Sequence, residues 1–292
     1  MSLHQPVCLW AVEAELGEGP LWQARTRTVY FVDIKGRRIH RCAEDGTQRR
    51  TWTAPQQIGF IVPLAGGDFA CGLQDGLYRF SDAGGEFSLI RNVERDIPAN
   101  RFNDGFVDPQ GGLWFGSMDD DECRASGSLY RLGQAGDVRI LDRDYAITNG
   151  PAMSPDGKTL YHTDTLKKQV FAFDVMPDAS LARKRPFATI QGSGHPDGMA
   201  VDAAGFVWIA LFGGGRIERY SASGEHVTSV AFPCSNVTKL AFGGDDLRTV
   251  YVTTAWKGLS REERERQPLA GGLFSFRTYT PGLAQHDVSI GA

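Results

Sequence analysis

The sequence predicts an all-β protein, a six-bladed β-propeller that takes in all 292 residues as a single domain. Three observations predict it. First, a strand–turn–strand unit recurs along the chain. Its clearest copy is FNDGFVDPQGGLWFG, residues 102–116. There a polar tight segment (Asn103, Asp104, Gly105) leads into one short strand, and a Pro-Gln-Gly-Gly turn leads into a second. The unit returns as NGPAMSPDGKTLYHTD from Asn149, as DGMAVDAAGFVWIAL from Asp197 and as KLAFGGDDLRTVYVTT from Lys239. Second, the aromatic of the second strand keeps a period. Trp114, Tyr161, Trp208 and Tyr251 are spaced by roughly 43 to 47 residues, the length of a four-stranded blade. Third, the chain carries 35 Gly, largely at turn positions, as many tight β connections require.

The elements follow in order. A leading strand over residues 7–14 precedes any complete unit; in a closed ring it completes the last blade and removes a sheet edge. The first unit, from Gly17, has strands at residues 20–23, 28–33 and 38–42. A weaker copy begins near Gly59, and the four clear copies begin near Asn103, Asn149, Asp197 and Lys239. Outer strands are expected at residues 127–132, 169–174, 216–220 and 272–277. Residues 259–267, LSREERERQ, are charged almost all round and read as a short surface helix or a solvated loop. No change of composition marks a second domain. The recurring Trp and Tyr read as core packing between blades.

Composition narrows the function. Thirty-one Lys and Arg against 35 Asp and Glu leave a net charge of −4, so no basic face for nucleic acid is expected. Five scattered cysteines (Cys8, Cys42, Cys71, Cys123, Cys234) with no C-x-x-C read as reduced, mostly buried thiols. The first residues show no secretory pattern, and no apolar run approaches the roughly 20 residues of a membrane helix. A soluble cytoplasmic protein without a membrane partner is expected.

Polar residues stand at the entry of several inner strands, where a propeller brings distant positions together on its axis. Glu18, Asn103, Asp104, Asn149 and Asp197 each have a glycine one or two residues later: Gly19, Gly105, Gly150 and Gly198. Turn chemistry explains Asn-Gly and Asp-Gly equally well; Glu-Gly is not a favoured turn pair, so Glu18 resists that explanation best. Two carboxylates and an amide oxygen, from Glu18, Asp197 and Asn149, suit a hard divalent cation. From spacing alone the turn and metal readings both stand.

The segments LGEGPLW, RFNDGFVDPQGGLWFGSMD, ITNGPAMSPDGKTLYHTDT, HPDGMAVDAAGFVWIALFGGG and NVTKLAFGGDDLRTVYVTTA resemble the senescence marker protein/gluconolactonase family, which also contains luciferin-regenerating enzyme. The resemblance covers nearly the whole chain in the right order, and looks strongest to the bacterial sugar lactonases, xylonolactonase and arabinonolactonase. It implies a six-bladed propeller with one divalent cation on the central axis. The Glu of GEGP, the Asn of TNGP and the Asp of PDG would hold the cation, here Glu18, Asn149 and Asp197. Asp197 would also be the general base. The Arg and Asn of RxND, here Arg101 and Asn103, would contact substrate. In some members a Glu in the loop after this point touches ligand; here that loop is MDDDECRASG, and Asp119, Asp121 and Glu122 are its candidates, with a solvated acidic turn as the other reading.

The activity so implied is hydrolysis of an aldonolactone, of pentonolactone or gluconolactone type, to the aldonic acid. Calcium is the first choice by ligand type, and iron(II), zinc, manganese and magnesium also accept such donors. The cation would polarise the carbonyl and activate water, either with Asp197 as base or without a protein base. Three alternatives stand beside it: a phosphotriesterase- or arylesterase-like metallohydrolase, a calcium-binding propeller without catalysis, and a strictosidine-synthase-like condensing propeller. Serine hydrolysis fits poorly, because no G-x-S-x-G elbow is present. His195 is expected to flank the mouth, His162 to pack with a hydrogen bond, and Asp164 and Thr165 to cap a turn.

Overall fold

The structure is a computed structural model that describes residues 5–290. Strand β1 (Val7–Trp10) is followed by blade 1, which is β2 (Gly17–Gln23), β3 (Thr28–Asp33), β4 (Arg38–Ala43) and β5 (Arg50–Thr53). Blade 2 is β6 (Ile58–Pro63), β7 (Phe69–Leu73), β8 (Gly76–Ser81) and β9 (Glu86–Asn92). Blade 3 is β10 (Asn100–Val107), β11 (Leu113–Asp119), β12 (Gly127–Leu132) and β13 (Val138–Tyr145). Blade 4 is β14 (Thr148–Met153), β15 (Thr159–Asp164), β16 (Gln169–Val175) and β17 (Leu181–Thr189). Blade 5 is β18 (His195–Val201), β19 (Val207–Phe212), β20 (Arg216–Tyr220) and β21 (His226–Ala231). Blade 6 takes β22 (Asn236–Gly243), β23 (Thr249–Ala255) and, after helix α1 (Arg261–Arg266), β24 (Leu273–Arg277). The described residues thus form six four-stranded antiparallel sheets, and the sixth is completed by β1.

The leading strand does close the ring, though it is shorter than expected: β1 pairs with β24 from Val7 opposite Ser275. The strands expected to be outermost are third in each blade. The true outer strands β5, β9, β13, β17 and β21 escape sequence reading because solvent covers one face and their residues are mostly polar and exposed, as in the run Arg183, Lys184, Arg185. The charged segment is the short helix α1, with no buried residue and a capping box between Ser260 and Glu263. Among the described residues no helix is long and apolar enough to cross a membrane.

Inner strands β2, β6, β10, β14, β18 and β22 each pack on the next and close a ring. Apolar clusters fill the wedges between blades, as between Tyr30 of blade 1 and Phe69 of blade 2. The recurring aromatics are buried there, and two are fixed by the turn that precedes them. Trp114 Nε1 donates to Asp108 at 2.8 Å, and Trp208 Nε1 donates to Asp202 at 2.9 Å. Each Asp also caps its own turn and receives an Arg from the next strand, Arg131 or Arg219. At the far end of the axis residues 281–289 cross the ring: Gly282 bridges Asp202, and Val288 bridges Leu64. This segment lines the lower channel, so the candidate site lies at the opposite mouth, where the inner strands begin.

Candidate metal centre and substrate cavity

Each inner strand slips register against its neighbour at the same level of the ring. The shifts fall between Glu18 and Leu21, Ile58 and Phe60, Phe102 and Asp104, Asn149 and Ala152, Pro196 and Met199, and Val237 and Lys239. A bulge re-aims side chains at a strand end. Asn103, Asp104 and Gly105 therefore lie inside β10, not in a tight segment before it. The glycines serve the bulges and do not form hairpin turns. Gly19 and Gly150 have φ of +54° and +70°, which disfavour any side chain. Gly198 leaves no room: a Cβ there would stand 2.5 Å from Lys239 Cγ.

Glu18, Asn149 and Asp197 are all buried and line one cavity of about 230 Å³ together with Arg101 and Asn103. Arg101 Nε donates to Asp120 at 2.8 Å, and its Nη1 donates to Asn103 Oδ1 at 2.5 Å. Asn103 Nδ2 donates to Asn149 Oδ1 at 2.9 Å. Asn149 Nδ2 donates to Thr165 Oγ1 at 2.9 Å, and that hydroxyl donates to the Pro196 carbonyl at 2.9 Å. One relay from blade 3 to blade 5 thus fixes which way each amide faces, leaving Asn149 Oδ1 a further lone pair. Asp120 anchors the relay. Burial pushes its carboxyl up, but hydrogen bonds from Lys35 and Gln57 and the charge of Arg101 prevail and hold it at about 2.

The two carboxylates perturb each other. Burial pushes Glu18 up to about 7 against the pull of Lys239, the Gly19 N–H and Arg101. Burial and then the charge of Glu18 push Asp197 well above the carboxylate range. Lys239, buried and paired with Asp104, is pushed down to about 8 by burial while Glu18 pulls it up. Lys239, Lys257 and Arg101 only partly offset two facing buried carboxylates, and a divalent cation with oxygen preference would supply the remaining positive charge. No group of three or more His, Cys, Asp or Glu converges for a metal among the described residues. The donor set here is two carboxylates and an amide, and the expected axial metal rests on its chemistry alone.

The acidic loop divides. Asp119 is buried and accepts from the backbone N–H groups of Cys123 and Arg124 and from the Arg124 guanidinium, so it shapes the loop. Asp121 is exposed. Glu122 lines the cavity and pairs with Lys257. His195 also lines it, with Nδ1 3.2 Å from the Thr165 carbonyl. His162 is a correction: it is buried between blades, edge-on to Tyr145, and neither ring nitrogen has a hydrogen-bond partner among the described residues. Thr165 corrects the turn-cap reading, because its hydroxyl belongs to the relay. Asp164 does cap its turn, accepting from Lys167. Sequence reasoning missed Asp120, hidden in an Asp-Asp-Asp-Glu run, and Lys257, which follows a strand with no motif around it.

Over residues 16–256 the chain matches the SMP-30/Gluconolactonase/LRE-like region. It belongs to this family. Members like it include a 6-deoxy-6-sulfogluconolactonase of Pseudomonas putida, 35% identical over 95% of this chain and 96% of that one. An L-arabinolactonase of Azospirillum brasilense is 36% identical over 92% of this chain and 90% of that one. Among solved structures, regucalcin of Agrobacterium tumefaciens, described as a calcium-binding protein, superimposes with a TM-score of 0.93 at 28% identity over 98% and 97% of the two chains. A luciferin-regenerating enzyme gives 0.91 at 31% identity over 98% and 100%. The family expected from the motifs is the family found, and the all-β six-bladed propeller is the fold found.

Proposed function

We propose that this protein hydrolyses a sugar lactone, an aldonolactone of pentonolactone or gluconolactone type, to the aldonic acid, using one divalent cation. The observation that carries the reading is the convergence of Glu18, Asn149 and Asp197 beside Arg101 in one small cavity. The relatives named as sugar lactonases support it. Calcium is favoured by the all-oxygen donor set and by the calcium-binding structural neighbour. Five free cysteines suit a reducing compartment, so the cytoplasm is its proposed place.

When bound, the cation supplies Lewis-acid polarisation of the lactone carbonyl and a lower pKa for water. The chain supplies the rest. Glu18, Asn149 and Asp197 would hold the cation through two carboxylates and an amide oxygen. The Asp197 carboxylate takes a proton from water as that oxygen bonds to the carbonyl carbon. The ring C–O bond then breaks, and the ring oxygen leaves as an alcohol with that proton. Arg101, held by Asp120, donates to the carbonyl oxygen or to sugar hydroxyls as charge grows there.

Acid release from a panel of aldonolactones, followed by pH-stat on metal-stripped protein and after adding back calcium, manganese, zinc or iron(II), tests the reading. Turnover should vanish on stripping and return with one cation, and Asp197→Ala should abolish it. Cation binding without turnover of any lactone would instead favour a calcium-binding role.

A further inference from the structure

The charges around the cavity pair off in three steps. Glu18 and Asp197 at its floor would be matched by the divalent cation proposed above, and Arg101 is matched by Asp120. The third pair spans the mouth. Lys257, just past the end of β23 in blade 6, meets Glu122, in the loop after β11 in blade 3. Those blades face each other across the ring of six. Both side chains line the cavity, and both are only partly exposed, at 27% and 35%.

Both partners stand on a held backbone. Lys257 has its backbone tied on both sides: its N–H donates to the Glu15 carbonyl at 2.9 Å, and its carbonyl accepts from Asn236 Nδ2 at 3.0 Å. Glu122 sits in a turn at φ +60°, closed by its N–H on the Asp119 carbonyl and by the Cys123 and Arg124 N–H groups on the Asp119 carboxylate, so there too the backbone is held and the side chain alone can move. Glu122 is the shorter and more exposed member, 35% against 27%, so its carboxylate is the one that can turn out to water while Lys257 stays against the cavity. With the reacting carbonyl at the floor, the far end of a sugar chain reaches the mouth. There an anion can replace the Glu122 carboxylate on Lys257 at no cost in unpaired buried charge, since Glu122 turns into solvent.

We infer that Lys257 is a specificity-determining residue, and that the preferred substrates are lactones carrying an acidic group at the end remote from the ring carbonyl. Terminal carboxylate, sulfonate and phosphate share the chemistry that Lys257 reads. Glu122 occupies that place when no such substrate is bound, and so competes with every anion for Lys257.

This inference rests on the lactonase reading, and its test separates the two. Matched lactones with neutral, carboxylate, sulfonate or phosphate ends would be assayed on the metal-loaded wild type, on Lys257→Met and on Glu122→Gln, with thermal melts to verify folding. The wild type should favour at least one acidic lactone in kcat/KM, and the end group with the largest preference names the source. Lys257→Met should cut the acidic-to-neutral ratio by about tenfold, chiefly through KM for the acidic substrate, as for loss of a half-buried ion pair. Glu122→Gln should raise the ratio. Hydrolysis of neutral lactones with a ratio that neither variant moves would overturn the inference and leave the lactonase reading standing. Hydrolysis of no lactone at all would overturn both.

Discussion

His162 gives the sharpest test of the blade interior. It is fully buried, edge-on to Tyr145 with ring centroids 4.8 Å apart, and among the described residues neither ring nitrogen has a partner. Burial pulls its pKa from 6.5 down to about 3; Asp142 opposes that fall and Lys184 adds to it. A histidine lowered on folding is neutral in the folded protein, while the unfolded chain takes up a proton below 6.5. Its stabilising contribution is therefore complete above pH 6.5 and drains away as pH falls towards 3. At 1.36 kcal/mol per unit, the whole shift is worth roughly 4–5 kcal/mol, and about 2.5 kcal/mol of it is lost between pH 7.5 and 4.5. His162→Phe keeps an aromatic edge against Tyr145 and removes the titration. Urea denaturation of both proteins at pH 7.5 and 4.5 gives two stability differences. The wild type should lose about 2.5 kcal/mol more than the variant over that interval, and the buried His40 cancels because both proteins keep it. Equal losses would show that His162 is hydrated or hydrogen-bonded in solution, and the reasoning would fail.

Asp120→Asn removes the carboxylate shared by Lys35, Gln57 and Arg101 and leaves the Arg101 guanidinium without its charge partner. A destabilisation of about 2 kcal/mol in urea and at least a tenfold fall in kcat/KM are expected. Gly198→Ala forces a methyl against Lys239 and displaces the adjacent Asp197; kcat should drop by roughly tenfold or more in steady-state assays with the fold intact by circular dichroism. Chelation should lower the melting temperature, because Glu18 and Asp197 are left facing each other in a buried site, and calcium should restore it. A melting curve indifferent to both treatments would remove the metal from the reading.

Much of the molecule was legible because its signals are local. The Asp-x-x-Gly turns, the aromatic that follows and the buried second strand sit within about fifteen residues of each other, as a hairpin unit must. Glu18, Asn149 and Asp197 could be picked out because each stands beside a glycine that the bulge demands. What stayed hidden is relational. Asp120 and Lys257 matter through Arg101 and Glu122, and Lys257 lies 135 positions from its partner, a distance no pattern reports. The outer strands were missed for a different reason: with one face in water, their side chains carry little of the alternation that marks a strand.

The six register shifts explain why a near-symmetric ring makes a one-sided site. Every blade offers the same opening towards the axis, but the residue at or beside the shift differs. Blades 1, 4 and 5 place Glu18, Asn149 and Asp197 there. Blade 3 places Asn103, whose amide is spent on Arg101 and Asn149. In blade 2 the unpaired residue is Gly59, and a Cβ there would lie 2.3 Å from the Phe102 carbonyl oxygen, so this blade adds no side chain. In blade 6 it is Thr238, whose hydroxyl donates to the Gly17 carbonyl at 2.6 Å and joins blade 6 to blade 1. The fold supplies six equivalent positions, and side-chain chemistry leaves three oxygen donors on one side with Arg101 beside them. Repetition therefore accounts for the scaffold, and the departures from it account for the chemistry.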